Sequence, residues 1–181
     1  MAGVLAAGPV LAGCEPSGNG GTEPSAGATT MSGPSVAADV PRGYDPCKNI
    51  PDSVLASEQL RAAGPAGLDA DGGIKWRGCR WIRTDGYVAV IWTTNLTVDM
   101  TRDRHFSDPQ EFTIGGRRAI ATRQVQEHPG AVCTVTVEMQ GGSLEFDLTN
   151  PPSNRDTGST DTCRLARTLA EKVAPTVPAT A

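Results

Sequence analysis

The chain has 181 residues, a formal net charge of −4 at pH 7 and 20% charged residues. That length suits one ordinary domain with a tail rather than two full-sized cores. The charge supplies neither the basic field that nucleic acid binding requires nor an acidic tail, so nucleic acid is not an expected partner. Aromatic residues make up only 4% of the chain, and Tyr44, Trp76, Trp81, Tyr87 and Trp92 all precede residue 93. The folded part therefore begins before that cluster ends, and the tail lies upstream.

Residues 1–14, MAGVLAAGPVLAGC, are small and apolar and end in Leu11-Ala12-Gly13-Cys14, which looks like a bacterial lipobox. In that chemistry the thiol receives a diacylglyceryl group and a signal peptidase cuts before it, which requires a small preceding residue such as Gly13. A secretory signal opens on positive charge, yet no Lys or Arg precedes Arg42, so the signal is expected to be truncated at its front. The apolar stretch is too short to span a bilayer, which takes about 20 residues. Residues 15–41 mix Gly, Ser, Pro, Thr and Ala without large apolar groups and cannot offset the entropy of ordering. A flexible tether of that length reaches on the order of 30 Å. The expected organisation is a signal peptide over 1–13, a lipid-anchored linker over 14–43 and a domain over 44–178.

In the domain, Asp45 and Pro46 open a short helix that Pro51 interrupts, and Asp52 or Ser53 caps a second piece ending at Gly64. Its apolar residues Ile50, Val54, Leu55 and Leu60 fall on one side and should rest on a sheet. Asp85-Gly86 is a two-residue turn signal that pairs Arg83 with Val88, Trp81 with Val90 and Cys79 with Trp92 on one mostly apolar face. The segment 94–112 is ambiguous. Gly115-Gly116 and RRAIATRQV suggest a strand that turns through His128-Pro129-Gly130 into another bearing Cys133. Gly141-Gly142 then pairs Met139 with Leu144, Val137 with Phe146 and Val135 with Leu148, while Glu138, Glu145 and Asp147 point to a wet face. Asp161 or Thr162 caps a last helix with Cys163, Ala166, Leu169, Ala170 and Val173 on one side, ended by Pro175. The expected fold is α+β: an antiparallel sheet of about five strands with an N-terminal and a C-terminal helix packed on it.

Of the five cysteines, Cys14 stands alone and Cys47, Cys79, Cys133 and Cys163 are spread over the domain. Without C-x-x-C pairs or histidines at ligand spacing they read as two disulfides of an oxidising compartment, not as a zinc site; four reduced thiols are the alternative. Three connectivities are open. The preferred one is Cys47 to Cys79 and Cys133 to Cys163, each stapling a helix start to a strand and contributing roughly 3 to 4 kcal/mol.

Asp45-Pro46-Cys47, Cys79-Arg80-Trp81, Ile114-Gly115-Gly116-Arg117-Arg118-Ala119, Cys133-Thr134-Val135 and Asp161-Thr162-Cys163 with Ala166 and Leu169 together resemble the actinobacterial lipoprotein family known as domain of unknown function 3558, over roughly Asp45 to Pro178. The resemblance implies a lipid-anchored protein of the cell envelope, in agreement with the lipobox at Cys14. It implies no activity.

Motifs of chemistry are sparse. There is no G-x-S-x-G, and the two histidines, His105 and His128, read as loop and turn residues. Asp99, Asp103, Asp108 and Glu111 cluster without the spacing of a calcium loop. Gly115-Gly116-Arg117-Arg118 reads as a turn before an anion cradle, and Asn95-Leu96-Thr97 matches a glycosylation sequon by chance. Trp76, Trp81 and Trp92 suggest a stacking platform, but the register above favours core packing for Trp81 and Trp92. No catalytic residue, metal or cofactor is expected. The expected function is a non-catalytic binding or interaction domain, for a small molecule or a protein, on a lipoprotein held at the outer face of the cell membrane. The alternative is an envelope hydrolase or transferase whose site is assembled from scattered residues. An apolar pocket with few convergent polar groups would support binding. A histidine meeting a carboxylate and a nucleophile would support catalysis.

Overall fold

A computed structural model describes residues 35–181. It holds one seven-stranded antiparallel sheet made of β1 (Leu60–Ala70), β2 (Ile74–Arg83), β3 (Val88–Thr94), β4 (Ser107–Ile114), β5 (Arg117–Arg123), β6 (Val132–Met139) and β7 (Gly142–Thr149). The strand order is β1-β2-β3-β7-β6-β5-β4. Three α-helices accompany it: α1 (Asp52–Ser57), α2 (Val98–Arg102) and α3 (Thr162–Val173). The expected α+β class holds, but the strand count rises from about five to seven. The two additions, β1 and β4, are the edges of the sheet, and their side chains are mostly exposed. An edge strand that buries neither face carries no alternation for a sequence to display, and Pro65 and Pro109 fit only there.

α3 matches its expected face: Cys163, Ala166, Leu169, Ala170 and Val173 are buried, and Asp161 caps it by accepting from Arg164 N at 3.0 Å. They meet Val135 and Val137 of β6, Leu144, Phe146 and Leu148 of β7, and Ile91 of β3 in one apolar core. The N-terminal helix is shorter than expected. Asp45 caps a turn, its carboxylate accepting from Cys47 N at 2.9 Å, and α1 has six residues after Pro51, with no side-chain cap. What reads as its C-terminal part is β1.

Both disulfides form as preferred. Cys47 joins Cys79 of β2 with Cα atoms 5.2 Å apart, and Cys133 of β6 joins Cys163 at the start of α3 with Cα atoms 5.0 Å apart.

The two hairpins differ from expectation in instructive ways. In the first, the loop has three residues, Thr84 to Gly86, closed by Arg83 N donating to Tyr87 O at 3.1 Å, with Asp85 at φ 55°. Cys79 therefore faces Ile91 and Trp81 faces Ala89. This one-residue slip sends Trp92 to the other side of the sheet. In the second hairpin the turn is Gln140-Gly141, so Val137 faces Leu144 and Val135 faces Phe146. That is a slip of two, which leaves every residue on its expected face.

After β3 the chain leaves the middle of the sheet, crosses as residues 95–106 including α2, and joins the far edge at β4. The crossing covers part of the sheet face opposite α3, burying Leu96, Val98 and Thr101. Arg118 of β5 clamps α2, donating to both carboxylate oxygens of Asp99 at 2.8 and 3.0 Å and to Glu138 Oε1 at 2.9 Å. The face read as wet is thus partly closed.

Residues assigned to the linker also engage the sheet. Asn95 Nδ2 donates to Ala37 O at 2.7 Å, and Lys75 Nζ donates to Ala38 O at 2.9 Å. A Cβ at Gly142 would stand 2.0 Å from Thr94 O and 3.0 Å from the Pro41 ring, so the glycine lets both the β3 backbone and Pro41 approach. Among the described residues no helix is long and apolar enough to cross a membrane.

Candidate functional site

On the face opposite α3, β7 presents Ser143, Glu145, Asp147 and Thr149 in a row, about 7 Å between successive Cα atoms. Each faces a neighbour on β6: Glu138, Thr136, Thr134 and Val132 in turn. On β3 the matching partners are Thr94, Trp92, Val90 and Val88. Exposure rises along the row. Ser143 and Glu145 are buried, Asp147 is half-buried and Thr149 is exposed.

Glu145 is 3% exposed. Its Oε2 accepts from Trp76 Nε1 at 2.7 Å and its Oε1 from Thr136 Oγ1 at 3.4 Å. Asp147 Oδ1 accepts from Thr134 Oγ1 at 2.5 Å. Both carboxyls lie above their ordinary pKa because burial penalises the charged form. The neighbouring Asp147 raises Glu145 further, against the Trp76 and Thr136 hydrogen bonds and the charge of Arg104, which favour ionisation. For Asp147 the opposing influences are Thr134 and the Trp92 indole. Two carboxyls share one covered strip, the inner one held by hydrogen bonds and the outer one reaching toward solvent.

The tryptophans divide accordingly. Trp81 is buried on the helix face with Cys79, as expected. Trp92 is not: it stands on the opposite face, half-buried, with its ring centroid 6.0 Å from that of Trp76 and the planes tilted by 45°. Trp92 Nε1 is buried without a hydrogen-bond partner.

Beyond Thr149 the row opens into a cleft of about 600 Å³, lined by Glu127, His128, Gly130, Ala131, Val132, Thr149, Pro151 and Pro152. Its walls are mostly apolar. The preorganised left-handed backbone of His128, φ 58°, starts the 3₁₀ turn Pro129–Ala131 that forms one wall. Pro41 and the segment entering the domain pack at Gly142, the other end of β7 from Thr149.

Cys14 lies outside the described residues. His105 and His128 are exposed loop residues, at φ 52° and 58°. The carboxylates of the ambiguous segment disperse among arginines: Asp99 on Arg118 and Arg102, Asp103 on Arg102, Asp108 on Arg123. Among the described residues no group of three or more His, Cys, Asp or Glu side chains is placed to hold a metal. Gly115-Gly116 is a turn with both φ positive, 57° and 83°. Arg117 donates to Pro178 O at 2.6 Å and Arg118 is spent on Asp99 and Glu138, so neither guanidinium addresses a cradle. Asn95 is 1% exposed, which leaves the sequon closed.

The alternation in β7 predicts a wet face for Glu145 and Asp147, whereas the fold buries the first and half-buries the second. The available signal was their surroundings: the neighbouring strands offer Thr134, Thr136, Ile120 and Thr122, none of the charged partners usual on a solvated sheet.

A family model described as "Protein of unknown function (DUF3558)" matches residues 9–176. No curated protein and no solved structure matches the chain.

Proposed function

The chain belongs to the DUF3558 family, and from that premise we propose that it is an exported lipoprotein, held at the outer face of the cell membrane by a diacylglyceryl group on Cys14, whose domain is a non-catalytic binding module. The observation that carries the binding reading is the cleft of about 600 Å³ between Val132, Thr149, Pro151 and Pro152. Its apolar walls with few polar groups have the character of a small-molecule or peptide site. His128 in its lining meets no nucleophile and base set there. Two disulfides fit an oxidising compartment.

The second reading, an envelope hydrolase, draws on one observation. Glu145 and Asp147 form a carboxyl pair in unequal surroundings, the pattern that separates an acid from a base. Against it, Glu145 is buried and engaged by Trp76.

Both parts of the proposal are open to test. Full-length protein produced in its own host should partition into the detergent phase, and Cys14→Ala should move it to the aqueous phase. For the cleft, an apolar reporter dye added to the full chain carrying Cys14→Ser should shift the amide resonances of Val132, Thr149 and Ala131. Shifts confined to other surfaces would refute the assignment of the cleft.

A further inference from the structure

Resting on the reading of the cleft as a binding site, we propose that its ligand is an apolar molecule carrying one ammonium group, the apolar part lying between Val132, Pro151 and Pro152 and the cation reaching Asp147.

The cleft and the carboxylate lie on one line. Thr149 at the cleft and Asp147 are alternate residues on the same face of β7, about 7 Å apart, so an apolar body against Thr149 and Val132 directs its end along the strand toward Asp147. Asp147 spends Oδ1 on Thr134. The Trp92 indole favours its charge as well, and among the described residues the carboxylate has no salt-bridge partner. The basic residue in the same cross-strand row is Arg80, facing Val90, which in turn faces Asp147. Two strand spacings separate them, about 10 Å, and no ion pair joins them. Arg123, near the cleft, is taken up by Asp161 at 2.6 Å and by the carbonyl of Pro129 at 2.9 Å.

Asp147 is therefore a half-buried carboxylate without a matching cation, and a ligand ammonium supplies one. Burial raises the cost of its negative charge, so a cation brought to it gains more than at an exposed carboxylate. An anionic head would instead meet Asp147 and, at the cleft itself, Glu127.

Three probes of equal chain length separate the contributions: octylammonium, octanol and octanoate, titrated near neutral pH into the full chain carrying Cys14→Ser, with affinities read from amide shifts at Val132 and Thr149. Octylammonium should bind roughly tenfold tighter than octanol, and octanoate more weakly than either. Asp147→Asn should bring octylammonium to parity with octanol while leaving octanol unchanged. The three-probe comparison on the unaltered site stands even if that variant folds poorly. Equal affinity for octanol and octylammonium, or a preference for octanoate, overturns the ligand class while leaving a binding cleft intact. Failure of all three to shift the cleft resonances overturns the cleft reading as well.

Discussion

The indole N–H of Trp76 donates to Oε2 of Glu145 at 2.7 Å, tying β2 to β7 across the intervening β3. The acceptor is a carboxyl that burial has pushed above its usual range. A protonated carboxyl still accepts from an indole, so the bond does not depend on the charge.

Stability should therefore fall with rising pH. The unfolded chain releases the Glu145 proton near 4.5, whereas the folded chain holds it up to about 8. The stabilisation is complete below the unfolded value and is lost as pH climbs through the folded one, by an amount on the order of a few kcal/mol. Glu145→Gln keeps an acceptor for Trp76 and removes the titration. Urea unfolding at pH 5 and pH 9 should show a smaller loss in the variant than in the parent. The residual slope belongs to Asp147, which is raised for the same reason. Superimposable profiles for the two proteins would show that Glu145 is not the titrating group.

Trp81 and Trp92 should respond differently to truncation. Trp81 is 4% exposed and packs in the core with Cys79, so Trp81→Ala should cost about 3–5 kcal/mol, as large aromatic-to-alanine changes in cores do. Trp92 is half-buried on the other face and Trp92→Ala should cost clearly less. Chemical denaturation of the two variants measures both. Equal costs would restore the register in which the two indoles share a face.

That register marks the limit of what the sequence displayed. The turn dipeptides located both hairpins, and the 3.6-residue spacing from Cys163 to Val173 located α3 with its buried side. Loop length was not visible: one extra residue between Arg83 and Tyr87 inverted the facing of the first hairpin, whereas the two-residue shift around Gly141 was harmless. The covered strip over Glu145 was equally hidden. It depends on residues 95–106 crossing from β3 to the far edge, a long-range choice that no local pattern encodes. Cleft residues Val132, Pro151 and Pro152 meet at the open end of the β6–β7 hairpin and carried no motif.

Each disulfide closes a loop, with sequence separations of 32 and 30. Replacing Cys133 and Cys163 together by alanine should lower stability by roughly 3–4 kcal/mol through the entropy of the unfolded chain, and non-reducing peptide mapping of the parent should recover Cys47 with Cys79 and Cys133 with Cys163. A linked Cys47 to Cys163 peptide would contradict the layering of α3 on β6.

Where the domain begins can be decided by truncation. Ala37 and Ala38 lend their carbonyls to Asn95 and Lys75, and Asp39 lies 3.9 Å from Lys75 Nζ. Asn95 is the central group: it is 1% exposed, its Oδ1 accepts from Lys75 N at 2.8 Å, and its Nδ2 donates to Gly73 O at 2.9 Å as well as to Ala37 O. Removing residues 35–43 strips one acceptor from that amide and uncovers the β7 end at Gly142, where Pro41 packs. A hydrogen bond of this kind is worth about 1 kcal/mol, and orphaning a buried donor costs more. Deletion through Pro34 should thus leave the thermal midpoint unchanged, whereas deletion through Gly43 should lower it by several degrees. Asn95→Ala should lower the midpoint of the longer protein more than that of the shorter one, because only the longer protein has the Ala37 bond to lose. Equal midpoints for the two truncations would put residues 35–43 back in the tether and start the domain at Tyr44.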